Sequence, residues 1–331
     1  MVLDRRRFLA LSASMGFAGL FACETSEPAA ESQPARPAFE FVPYVVGANT
    51  AISGYGFFEA VELLADIGYR TIEIQSLIGT LEPTLGEFPG FRCDQVSAEE
   101  KVRILESLKP FDHVTVHLPY EEWIPYIDPD SEEGVAFIET CLDATGFLGA
   151  KLAVLHPQPR RADLYANWAT AVERIRKWGS MAADRGFRLA CETAMPNSLP
   201  DLMRFIEEIG HDNVGVTLDV GHQARFKELA DIPKEAYAKP ESVQAYNDLN
   251  IRIAEALGEK LFHVHTHDIE PETWAEHKPL IHGFIDYPRL IAKLRELEYS
   301  GVLVFEMGGD PEKMPEWLRK GKRKMDGYVE A

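Results

Sequence analysis

From residue 41 onward the chain alternates between two hydrophobic patterns. Short continuous apolar runs bounded by Gly, Pro or charged residues read as buried strands, and longer stretches with apolar residues every three or four positions read as helices packed on one face. Strands are expected at 42–46, 71–74, 114–117, 152–156, 188–192, 214–219, 261–265 and 302–306. Helices are expected at 58–67, 98–108, 132–148, 164–184, 199–209, 242–257, 287–297 and 312–319, the last a short closing helix. Three connections are long. Residues 77–96 carry Gly79, Pro83, Gly86, Pro89 and Gly90 and are too long for a plain link, which makes them a candidate lid or rim; 223–240 and 266–284 are the other two.

Eight strand–helix units in strict alternation predict an α/β fold, a single (β/α)8 TIM barrel, with no internal boundary for a second domain. Such a barrel takes about 250 residues, so a chain of 331 has room for a leader and long loops. The last six strands share an ending. Val114-Thr115-Val116 runs into His117, Leu152 to Leu155 into His156, Arg188 to Cys191 into Glu192, and Thr217-Leu218 into Asp219. Leu261 to Val264 runs into His265, and Val302 to Phe305 into Glu306. In a barrel of parallel strands these C-terminal ends converge on one mouth, so six metal-ligand side chains share one pocket.

The composition is ordinary for a soluble protein, at 46% hydrophobic and 26% charged, but the formal net charge is -19. A surface that acidic repels phosphate backbones and anionic lipid at long range, which argues against nucleic acid as partner. The loops of the expected mouth add Glu121, Glu122, Asp128, Asp130, Glu270, Glu272 and Glu276 to the same side of the balance. Tyr55, Phe57, Tyr120, Trp123, Tyr126 and Trp274 offer flat apolar faces suited to the C–H groups of a sugar.

Residues 1–22 read as an export signal: Arg5-Arg6-Arg7-Phe8-Leu9 resembles the twin-arginine pattern, and 10–22 are apolar or small but too short to span a membrane. Leu20-Phe21-Ala22-Cys23 resembles a lipobox, with bulky Phe21 as a departure, and implies lipidation at Cys23. Residues 23–38, rich in Pro, Ala, Ser and Glu, read as a disordered tether, leaving 39–331 for the barrel. The expected address is the periplasm, as a membrane-anchored lipoprotein. Cys93, Cys141 and Cys191 then remain, an odd number, so at least one stays unpaired; Cys191, beside Glu192 but on the opposite strand face, reads as core packing.

Leu155-His156-Pro157, Cys191-Glu192-Thr193, Leu218-Asp219-Val220-Gly221-His222, His263-Val264-His265-Thr266-His267-Asp268 and Val304-Phe305-Glu306 together carry a resemblance. From about residue 41 to 309 the chain resembles the xylose isomerase-like barrel superfamily, which holds sugar isomerases and epimerases and the endonuclease IV group (AP endonuclease family 2). The resemblance to the epimerases implies one divalent metal held by Glu192, Asp219, His265 and Glu306. Three carboxylates and one imidazole favour Mn2+, with Mg2+, Co2+ and Zn2+ also compatible. Glu192 and Glu306, from opposite sides of the mouth, are the expected acid–base pair. His222, His117, His156 and His277 are expected to contact substrate, together with Trp123 and Trp274.

The resemblance to the endonuclease IV group implies something else: an extra zinc on His117 and His156 bridged by Glu192. A third zinc there takes a strand-six histidine and an Asp-x-His, for which this chain has His222 and His277 but Ala275 in place of the Asp. The expectation drawn from charge and address is a metal-dependent sugar isomerase or epimerase, or a keto-sugar lyase, abstracting a proton next to a carbonyl through a metal-stabilised enediolate. Its substrate would be an unphosphorylated sugar or keto-glycoside met outside the cytoplasm. The alternatives are an endonuclease IV-like zinc phosphodiesterase and a non-catalytic sugar-binding lipoprotein. Oligomeric state is left open.

Overall fold

The computed structural model describes residues 39–331, apart from 85 and 282. The expected signal, tether and Cys23 lie outside the described residues. Eight parallel strands close into a barrel in sequence order: β1 (Val46–Asn49), β2 (Thr71–Ile74), β3 (His113–His117), β4 (Leu152–Leu155), β5 (Arg188–Glu192), β6 (Val214–Asp219), β7 (Leu261–Thr266) and β8 (Val302–Phe305). The helices α1 (Phe57–Ile67), α2 (Ala98–Leu108), α3 (Glu132–Phe147), α4 (Trp168–Asp184), α5 (Leu199–Ile209), α6 (Pro240–Leu257), α7 (Tyr287–Glu296) and α8 (Met314–Glu330) each follow one strand. Ser97, Ser131, Ser198 and Asp286 cap α2, α3, α5 and α7 by accepting a hydrogen bond from an amide in the first turn.

Alternation along the strands separates two apolar layers. Leu189, Cys191, Val216, Leu218, Val264 and Leu303 face outward into the main core against the helices. Leu152, Val154, Ala190 and Phe262 form a smaller cluster of their own. Against the usual apolar filling of such barrels, fully buried polar residues join them on these strands: Glu73, Thr115, Thr217, His263 and His265. The register of β6 on β7 shifts between Val216 and Thr217, which pairs Thr217 with His263 and brings Asp219 opposite His265.

Three elements differ from expectation by more than two residues. The first strand starts at Val46, because residues 42–45 close a turn in which the Val45 amide donates to the Val42 carbonyl at 2.9 Å. Helix α4 starts at Trp168, after a turn that Asp163 organises by accepting from the Ala166 amide. Helix α8 runs to Glu330 and is not short; Met314, Leu318, Gly321 and Met325 form its buried stripe, thin enough to hide among the lysines around it.

Segment 77–96, apart from residue 85, forms a rim. The Phe91 amide donates to the Ser76 carbonyl, Cys93 to Leu77 and Thr80 to Phe88, folding the segment back along itself. Gly90 permits this, since a Cβ there would sit 2.1 Å from the Ser76 carbonyl oxygen. Segment 223–240 is three short 3-10 turns, at His222–Arg225, Lys227–Leu229 and Lys234–Ala236.

Candidate metal centre

The C-terminal ends of β5, β6, β7 and β8 bring Glu192, Asp219, His265 and Glu306 together, with one ligand atom of each within 4.8 Å of every other. His265 is the hub. Its Nδ1 lies 3.3 Å from Glu192 Oε1, 3.7 Å from Asp219 Oδ2 and 3.0 Å from Glu306 Oε2. Its Nε2 lies 2.9 Å from Oε1 of Glu73, a buried carboxylate inside the barrel that also accepts from Thr115 Oγ1 at 3.0 Å. With Nε2 donating to Glu73, Nδ1 is the nitrogen turned toward the three carboxylates, and it would offer its lone pair to an ion held there, the arrangement in which a second carboxylate orients a metal-binding histidine.

Asp219 is held just as firmly. Its Oδ1 accepts from the Gly221 and His222 amides at 2.7 and 3.1 Å and from His267 Nε2 at 3.0 Å, leaving Oδ2 toward the hub. His267 Nδ1 in turn accepts from the His277 amide at 2.9 Å, so its ring proton sits on the Asp219 side. Gly221 makes room for that ring, because a Cβ would lie 2.1 Å from His267 Cε1.

Burial alone would raise the carboxyl groups here, yet each is held ionised. The imidazoles of His156 and His265 keep Glu192 well below the usual carboxylate range, and His222 and His267 lower Asp219. His265 brings Glu306 down to about 2. Glu73 is lowered by the same ring, and His265 itself, despite burial, is raised well above the ordinary imidazole value by Glu73, Glu306 and Glu192. Apart from His265 Nδ1 at 3.0 Å, Glu306 Oε2 has no polar partner among the described residues. Three ionised carboxylates converging on one imidazole nitrogen fit a hard divalent cation.

Glu192 faces two ways. Its Oε1 meets the hub, while its Oε2 lies 3.1 Å from His117 Nε2 and 2.9 Å from His156 Nε2. Glu192 and the other carboxylates raise His117 to about 9 against its burial, whereas burial keeps His156 below its ordinary value. A third group joins His222, Glu276 and His277, whose Nε2 atoms lie 3.9 and 3.8 Å from the Glu276 carboxylate. Glu276, next to Ala275, is the carboxylate of this group and also pairs with Arg225.

A cavity of about 740 Å3 opens over these groups, and His117, His156, Glu192, His222, His277 and Glu306 all line it, with Asp219 and His265 buried beneath. Tyr120 also lines it, stacked on His156 at 3.9 Å. The other aromatic expectations need correction. Trp123 is absent from the cavity wall and lies 56% exposed against Phe137, and Trp274 is buried and stacked on Tyr237. Tyr126 is buried with its hydroxyl donating to the His156 carbonyl, and Phe57 belongs to the core. Phe88 of the rim and Gln75 beside Glu306 line the wall instead.

Glu73 could have been found in the sequence as the one charge inside the apolar run Thr71-Ile72-Glu73-Ile74. No local signal marks Phe88, whose position depends on how the rim folds back.

Residues 61–327 match the family described as "Xylose isomerase-like TIM barrel". A curated relative, an uncharacterized protein of Methanocaldococcus jannaschii, is 23% identical over 207 residues, 58% of this chain; the match spans 64% of that relative's length, less than two thirds. Among solved structures, D-psicose 3-epimerase from Clostridium cellulolyticum H10, crystallised with D-tagatose, superposes with a TM-score of 0.63. It is 16% identical, over 86% of this chain and 99% of that one. The 3-keto-D-glucoside 4-epimerase of E. coli gives a TM-score of 0.56 at 19% identity, with the same coverage. At these identities the likeness is one of fold, and the family match over most of the chain decides membership: the chain belongs to the xylose isomerase-like TIM barrel family.

Proposed function

We propose that this protein is a divalent-metal-dependent sugar isomerase or epimerase. The observation that carries the reading is the convergence of Glu192, Asp219, Glu306 and His265 Nδ1 at the floor of an open cavity, with all three carboxylates held ionised. The ion, when bound by these four, supplies a Lewis acid beside a substrate carbonyl, which makes a neighbouring C–H acidic enough to exchange its proton. Mn2+ suits this donor set, with Mg2+, Co2+ and Zn2+ as the other candidates.

Glu192 and Glu306 are the proposed proton carriers, both lining the cavity and rising from opposite strands of the site. Glu192 Oε2 sits between His117 and His156, so a proton taken there can be shared with His156 Nε2 at 2.9 Å. Glu306 Oε1 lies 3.5 Å from the Gln75 amide, which steadies the second carboxylate without neutralising it. His222, its Nδ1 2.7 Å from the Thr193 carbonyl, turns Nε2 toward the cavity to meet a sugar oxygen, and His277 lies across from it. Tyr120 offers a flat face to sugar C–H groups.

The substrate we propose is an unphosphorylated sugar or keto-glycoside, met outside the cytoplasm. The wall carries Glu121, Glu192, Glu276 and Glu306 against two arginines, one of which, Arg225, is paired with Glu276, an acidic balance that disfavours a phosphate. Incubating the metal-loaded protein with a panel of ketoses and 3-keto-glycosides in deuterated water tests the reading. Deuterium should enter next to the carbonyl, and Glu192→Gln or Glu306→Gln should slow exchange on the order of 10²–10⁴-fold.

One observation favours a second reading, an endonuclease IV-like phosphodiesterase. His117 and His156 flank Glu192 Oε2 closely enough to share an ion with it, and Glu276 completes a third group. Two or three zinc ions per chain and hydrolysis of a phosphodiester would move that reading ahead.

A further inference from the structure

We infer that Cys93 and Cys141 form a redox-responsive disulfide that fastens the rim of the cavity to helix α3. Their Sγ atoms lie 3.6 Å apart, in contact across 48 residues of sequence. Both are free thiols in the structure, Cys93 half-buried and Cys141 buried. A disulfide needs the sulfurs at about 2.05 Å, an approach of about 1.5 Å that side-chain rotation supplies when the thiols already touch.

The surroundings suit the chemistry. The Cys141 S–H beside it holds the Cys93 thiol below its ordinary value, and the Arg92 guanidinium acts in the same direction. Cys93, the more exposed of the pair, meets an external oxidant as its thiolate, and Cys141, buried behind it, is the resolving thiol. The third described cysteine is excluded by position, since Cys191 faces the outer core of β5 and burial pushes its thiol up to about 12. Of the three described cysteines, Cys191 is then the one left over.

The oxidant required is a small disulfide such as glutathione disulfide, or the disulfide of a thiol oxidoreductase. The Cys93 thiolate attacks one of its sulfurs, breaking that S–S bond and releasing one thiolate as a mixed disulfide forms. The Cys141 thiolate then attacks Cys93 Sγ and expels the second thiolate. The two protons lost by the cysteines end on the two released thiols, so two electrons pass to the oxidant. The bond closes a loop from 93 to 141, which contains α2 and β3. It anchors the end of the rim segment whose Phe88 lines the cavity.

The test equilibrates the full chain at a range of glutathione disulfide to glutathione ratios, quenches by alkylation and maps the peptides. A cross-linked pair holding Cys93 and Cys141 is expected under oxidising ratios, with Cys191 alkylated only after unfolding. The oxidised form should melt roughly 5 °C higher, a gain removed by reductant, absent in Cys93→Ser and retained in Cys191→Ser. Full alkylation of both Cys93 and Cys141 at the most oxidising ratio would overturn the inference. So would a stable glutathione adduct on Cys93 with no resolution by Cys141.

Discussion

The Nδ1 atom of His265 faces three carboxylates only because Nε2 is engaged by Glu73. Glu73→Gln keeps the shape and a hydrogen-bonding oxygen but removes the charge; it should weaken divalent-metal affinity about 10- to 100-fold while the fold persists, measured by calorimetric titration of the apo-protein. Unchanged affinity would mean that Glu73 is only buried packing. Gly221→Ala tests the other flank, where a Cβ would drive into His267 and loosen its grip on Asp219. Its metal affinity should fall too, with Val220→Ala as a nearby control that leaves the ring in place. At this scale the ligand types at strand ends were legible, since an apolar run stopping at a carboxylate or imidazole is visible in one dimension. The partners behind them were not, because Glu73 and His267 act from other strands or from the far side of a turn.

Element boundaries were legible where a cap or a glycine stop marks them, as for α2 after Ser97 and α5 between Ser198 and Gly210. They were lost where the apolar stripe is thin. Helix α8 continues for three turns past its expected end, with Gly321 and Met325 buried and Tyr328 and Val329 half-buried against the core, beneath a run of lysines and arginines. Met325 is fully buried, so Met325→Ala should cost about 2–5 kcal/mol of unfolding free energy, measured by denaturant titration, if the second half of α8 belongs to the core. A loss below about 0.5 kcal/mol would mean a frayed appendage. The mouth aromatics were misplaced for a related reason. Trp123 and Trp274 lie in loops without periodicity, and nothing in sequence separates a wall residue from one that packs under its own loop.

For the molecule as a whole, the barrel was legible because parallel strands buried on both faces leave continuous apolar runs, eight of them, each followed by a helical period. One titration links the barrel to global stability. His113 opens β3 half-buried, stacked on Tyr44, and burial with Lys151 and Arg188 nearby lowers it to about 4, below its ordinary 6.5. Between those values the unfolded chain binds a proton that the folded one does not. Its contribution is therefore complete above pH 6.5 and lost as pH falls toward 4. His113→Gln should lose less stability than the parent across that window, followed by melting temperature; equal losses would remove His113 from the account. The proposed function, however, rests on one hard cation at one site. Metal content per chain by elemental analysis, with the full-length protein and Glu306→Gln in parallel, tests it most directly. One divalent ion per parent chain is expected, much reduced in the variant; a parent protein that takes up none from any supplied metal, or that holds two or three zinc ions, would contradict it.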